Sequence, residues 1–289
     1  VTIEENIKKK LNNAINEELS VSNDVYNTSL NILLKINEYI KKTEYKQIKK
    51  GIKTQEFSFH ETILNKKILV EVIHYNFGNN EYFEQYETEI TYSDGSSISD
   101  GNRLNNIKIS CYSISNKFYS DNAMDVIQHE VEHVFQGIKG SKIITNFNKL
   151  YDTATNGLQS NNLKLKILSN IVYLSHKFEI DAYINGLYGY LMQKGGIPTY
   201  EDIKKTPLYI NLKVFRRQLN IISKDKEYEN ISSTFFGIPL KKIIKNSLNA
   251  ENYLINKLGK ILIKVQQDKE KQGLGHLTTT KGNKQKIQF

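Results

Sequence analysis

Asp121-Asn122-Ala123-Met124-Asp125-Val126-Ile127-Gln128-His129-Glu130-Val131-Glu132-His133-Val134-Phe135-Gln136-Gly137 is the stretch on which the reading of the chain turns. Ser120, Asp121 and Asn122 are all good N-caps, and Gly137 and Gly140 can stop a helix, so a helix is predicted between them. At ~100° per residue, Met124, Ile127, Val131, Val134 and Phe135 fall on one apolar stripe. His129 and His133 point nearly the opposite way, about 40° from each other. Histidines that only complete a core would share the apolar stripe, and these two avoid it. Two imidazoles one turn apart can close on a single tetrahedral metal ion, most often zinc. Glu130 projects beside the pair, where it can take a proton from a water bound to such an ion.

The H-E-x-x-H motif of His129, Glu130 and His133 resembles that of the zincin superfamily of zinc metallopeptidases. The resemblance rests on this helix. It implies a twisted, mostly antiparallel sheet ahead of the helix, zinc (Zn2+) held by His129 and His133, and Glu130 as general base. Gln136 and Lys139 stand where the metzincin branch has its glycine and third histidine, which argues against that branch.

A second informative stretch runs from His176 to Leu191. On a helix, Ile180, Ile184, Leu187 and Leu191 form an apolar stripe, with Glu179 about 100° from its centre. Ala182, Gly186 and Gly189 make a row of small residues on the adjoining face. Two glycines cost a helix roughly 2 kcal/mol against alanine, which points to close approach by another helix or backbone. The gluzincin branch of zincins carries a glutamate ligand on such a second helix, as E-x-x-A or E-x-x-x-D. Glu179 and Ala182 match the first form, while Tyr183 stands where the second needs aspartate. The resemblance therefore implies Glu179 as third ligand. His176, one turn away, remains open as an alternative, and Asp181 is a weaker one or orients a ligand histidine from behind. Tyr183 and Tyr190 are expected as donors to a developing oxyanion.

Around these helices the chain organises in order. Ile3, Ile7, Leu11, Ile15 and Leu19 recur every fourth residue, and Ser22-Asn23-Asp24 caps a second helix to about Ile40, so residues 1–50 read as a helical hairpin. From Gly51 the period becomes two. Phe57 and Phe59, then Ile68, Val70, Val72 and His74, then Tyr86, Thr88, Ile90 and Tyr92, then Ile107, Ile109 and Cys111 mark strands, with turns at Gly78, Asp94-Gly95 and Asp100-Gly101. The resemblance implies that Asn106 to Tyr112 runs beside a peptide substrate and adds it as a strand. His60 and His74 have no partner at ligand spacing and read as structural. Short helices from Ile143 to Tyr151 and Leu163 to Leu174 are expected to be separated at Thr155-Asn156-Gly157. Amphipathic helices over Ile210 to Ile222 and Leu240 to Val265 follow. The organisation is then a core over 51–195, a helical subdomain over 196–268 and a basic tail over 269–289.

The expected fold class is α+β, zincin-like, with a helical C-terminal subdomain. The expected activity is zinc-dependent hydrolysis of peptide bonds in a peptide or protein substrate. The rival is a non-catalytic zincin-like structural or assembly protein, such as a phage-particle component. An intact Glu130 speaks against it, because structure alone needs no base there. The net charge of +9 is spread diffusely and no nucleic-acid motif accompanies it, which argues against nucleic-acid binding; the tail could instead meet an acidic partner. No apolar run approaches the ~18–20 residues of a membrane span. The single Cys111 excludes an intrachain disulfide. With no apolar leader visible, a cytoplasmic or particle-associated setting is favoured over secretion.

Overall fold

The computed structural model describes residues 23–49, 51–79, 94–100, 103–115, 117–139 and 144–272. The expected helix over 1–20, the strand over 86–92 and the tail beyond 272 lie outside the described residues. The described residues divide into two compact units, one of 23–139 with 185–195 and the other of 144–184 with 196–272.

The first unit is a sheet with two helices against it. Helix α1 (Asn23–Lys42) buries Val25, Ile32, Leu33 and Ile36. Strands β1 (Lys46–Lys49), β2 (Ile52–Ile63) and β3 (Lys66–Asn76) form an antiparallel meander. Ile63 pairs with Lys66 across a two-residue turn in which Leu64 and Asn65 take positive φ of 47° and 63°. That primed geometry matches the right-handed twist of the strands. Strands β4 (Asp94–Asp100), β5 (Arg103–Ile114) and the two-residue β6 (Lys117–Phe118) complete the sheet, ordered β1-β2-β3-β5-β4 with β6 on β5. Four of these pairings are antiparallel, and β3 with β5 is parallel, so the sheet is mixed.

Two expectations fail here. Asp94-Gly95 opens a strand rather than a turn, because β5 supplies the ladder from Asp94↔Ser110 to Asp100↔Arg103. Nor can Asn106 to Ser110 accept an added strand, since these residues are paired with β3 on one side and β4 on the other. A strand flanked on both sides has no free ladder to offer.

Helix α2 (Ser120–Lys139) lies against β5 and α1. Its expected stripe of Met124, Ile127, Val131, Val134 and Phe135 is buried in one core with Val70, Val72, Ile107, Ile109 and Cys111 of the sheet and Ile32 and Ile36 of α1. Anchoring that stripe fixes the rotation of α2 and turns its histidines away from the sheet.

The second unit is helical: α3 (Ile144–Leu158), α4 (Leu163–Leu174), the first half of α5 (Lys177–Gln193), α6 (Tyr200–Lys204), α7 (Pro207–Ile222), α8 (Glu227–Ile231) with a π turn at Ser232–Phe236, and α9 (Leu240–Lys271). Leu168, Ile171, Phe215, Leu219, Tyr228 and Ile243 centre its core. Helix α3 runs through Thr155-Asn156-Gly157, where a break was expected. A Cβ on Gly157 would collide with the side chain of Ser169 on α4 and stand 3.1 Å from Phe235. That glycine is there for close packing rather than to end the helix. Helix α9 extends to Lys271, and the buried Lys269 donates to the Gly196 carbonyl at 2.9 Å. No helix among the described residues is long and apolar enough to cross a membrane.

Candidate metal centre

Helix α5 is one continuous helix whose second half belongs to the sheet unit and whose first half belongs to the helical unit. Its small-residue row is used as the sequence implies. A Cβ on Gly186 would meet Asp125 Oδ1 and stand 2.7 Å from the Asp125 carbonyl oxygen. One on Gly189 would meet Gln128 Oε1 and stand 3.1 Å from Met124 Cγ. Glycines at these two positions let α5 approach α2 closely.

One nitrogen of His129, one of His133 and a carboxylate oxygen of Glu179 lie within 4.8 Å of one another. His133 and Glu179 are buried, and His129 is half-buried. The two Nε2 atoms face each other at 3.1 Å, with the rings nearly perpendicular at 89°. Two nitrogens ~2.05 Å from one zinc at tetrahedral angles would be roughly 3.3 Å apart. The pair therefore already has close to the bite of a zinc chelate, and two imidazoles with a carboxylate are a donor set that suits zinc. His176 is not in the group. Its Nδ1 accepts from the Phe178 amide at 3.3 Å, and its ring packs on Tyr151 at 4.9 Å.

Outer contacts orient the histidines. Gln136 Nε2 donates to Glu132 Oε1 at 3.0 Å, which leaves its Oε1 facing His133 Nδ1 at 3.3 Å. Assigned on those partners, His133 carries its proton on Nδ1 and offers the Nε2 lone pair. Asp125, one turn before His129, is buried. Burial pushes its carboxyl up to about 7, and the neighbouring His129 pulls the other way. Glu130 is only 5% exposed, on the same helix as both histidines.

The remaining expected residues are placed as follows. Asp181 accepts from Tyr253 Oη at 3.2 Å and pairs with Lys177 at 3.4 Å. Tyr183 lines a small apolar hollow of the helical unit with Ile180, Leu208, Leu212 and Phe215. Tyr190 is buried, with Lys194 Nζ 5.8 Å above its ring. It stands eleven residues beyond Glu179, about 16 Å along the helix axis.

Besides Gln136, three residues at the site were not singled out from sequence. Tyr151 on α3 donates to Glu179 Oε1 at 2.6 Å. Tyr173 on α4 stacks on Tyr151 at 5.2 Å, and its hydroxyl is driven far above the usual phenol range by burial and by the nearby Glu179. No spacing signal could have linked either to Glu179. Asp125 differs, since Asp125, His129 and His133 recur at every fourth residue on one helix and that line was readable.

No protein-family model matches the chain, and neither does any curated protein or solved structure.

Proposed function

We propose that the chain is a zinc-dependent peptidase of the glutamate-ligand type, with His129, His133 and Glu179 holding the metal. The observation that carries this reading is the convergence of those three donors beside a buried Glu130. When bound, zinc supplies Lewis acidity, which acidifies water and polarises a peptide carbonyl. Glu130 accepts the proton of the attacking water and delivers it to the departing amine nitrogen. Gln136 and Asp125 keep the histidines in register while this happens. Tyr183, one turn after Glu179 on α5, would be the donor to the developing oxyanion if its hydroxyl turns from the apolar hollow towards the metal.

The test is Glu130→Gln in the full chain. The variant keeps size and polarity but has no base. It should retain zinc and lose cleavage of a mixed peptide library by about 10²–10⁴-fold. The wild type should be stopped by a zinc chelator and restored by added zinc. A wild type that holds zinc yet cleaves nothing in a broad library would replace this reading with a metal-bearing structural module.

A further inference from the structure

We propose that Tyr151 is a positioning residue for Glu179, holding Oε1 so that the carboxylate presents to a metal through one oxygen. This rests on Glu179 being a metal ligand, as proposed above. The Tyr151 hydroxyl donates to Oε1 at 2.6 Å, the length of a charge-assisted O–H···O bond. Glu179 is 0% exposed, so this contact is made out of water, where an oriented donor counts most.

The donor is itself held from several sides. Tyr173 stacks on the Tyr151 ring at 5.2 Å with the planes 26° apart, and His176 packs on it at 4.9 Å. The contacts run from Tyr173 to Tyr151 to Glu179 across α4, α3 and α5. A phenol packed between two rings has little freedom to swing away from the carboxylate. Such outer contacts fix how a ligand meets its metal, and losing one typically weakens binding by about 10–100-fold.

A tyrosine that merely satisfies a buried carboxylate would leave the metal's surroundings unchanged, and this difference is measurable. Tyr151→Phe in the full chain keeps the ring and its stacking but removes the donor. Zinc affinity is measured by competition with a chromophoric chelator, and the coordination by the visible absorption of the cobalt(II)-loaded protein. The expected result is zinc binding about 10–100-fold weaker than wild type. The cobalt bands should also lose intensity, as the freed Oε1 joins Oε2 and raises the coordination number. In a Glu179→Gln background, Tyr151→Phe should weaken binding no further, since it acts through that carboxylate. Tyr173→Leu, which removes the ring stacked on Tyr151, should shift both readouts in the same direction by less, and it decides the matter should Tyr151→Phe not fold. Wild-type zinc affinity together with an unchanged cobalt spectrum in the tyrosine variants would overturn the role of Tyr151. So would an equal further loss in the Glu179→Gln background. A wild type that takes up neither metal would instead remove the metal-site reading itself.

Discussion

Gly186→Ala probes how α5 is held against α2, and its effect can be worked from the contact. The added Cβ would stand 2.7 Å from the Asp125 carbonyl oxygen. Carbon and oxygen seldom come closer than ~3.3 Å, so the helix must retreat by roughly 0.6 Å. A backbone oxygen inside α2 cannot rotate aside. Overpacking of this kind costs about 1–3 kcal/mol, against a gain of about 1 kcal/mol for alanine over glycine in a helix. A net loss of up to about 2 kcal/mol lowers the melting temperature by as much as roughly 8 °C for a chain of this size. Zinc affinity should fall about tenfold or more, because sites tolerate only ~0.5 Å of misplacement. Gly189→Ala is the control. Its Cβ meets the far end of Gln128 and Met124 Cγ, both of which can move, so its net effect should stay within about 1 kcal/mol. Thermal unfolding by circular dichroism and chelator competition read the two quantities. Gly186→Ala matching wild type in both, or Gly189→Ala proving the more damaging, would refute the reasoning.

Two further outcomes follow from individual side chains. Glu179→Gln should weaken zinc binding by more than roughly 100-fold, beyond the range of outer-contact losses. His176→Ala should leave it near wild type, and the reverse order would move the third ligand to His176. His74 is 1% exposed, hydrogen-bonded to Gln55 Oε1 at 3.0 Å, and burial holds its imidazole down to about 4. In the unfolded chain it protonates near ~6.5, so its contribution is complete above that pH and is lost as pH falls towards 4, in total about 3 kcal/mol. His74→Leu should flatten the fall in urea midpoint between pH 7 and pH 4.5. Equal slopes in wild type and variant would show that another group carries the acid sensitivity.

What was legible in the sequence was what is local. The α2 stripe and the two histidines opposite it need only the period of a helix, and the sheet anchors that stripe as the period implies. Glu179 could be read because a helix with two glycines has to be approached by something, and α2 is what approaches it. Gly157 was misread by the same kind of cue, since a glycine that ends a helix and one that admits a neighbour look alike without the neighbour. Strand β4 has no apolar alternation in Asp94-Gly95-Ser96-Ser97-Ile98-Ser99-Asp100, and its pairing to β5 overrides weak strand propensity. The parallel pairing of β3 with β5 and the meeting of Tyr151 with Glu179 depend on tertiary packing, which no window of sequence contains.

The two glycines of α5 also account for why the third donor arrives where it does. Glu179 precedes Gly186 by seven residues, about 10.5 Å along the axis. His129 and His133 follow Asp125, the residue that Gly186 touches, by four and eight residues, about 6 and 12 Å. Those lengths are similar, and the three donors lie within 4.8 Å of one another. The roughly 2 kcal/mol that the glycines take from the helix is thus offset by a contact that sets the register of a ligand on one helix against two on another. Glu179 is then kept in place at its own end by Tyr151. A metal-binding group built this way depends on two separated supports, a helix contact two turns away and a hydroxyl at the carboxylate. Gly186→Ala and Tyr151→Phe should therefore weaken zinc binding additively, since they act on different degrees of freedom and share no partner.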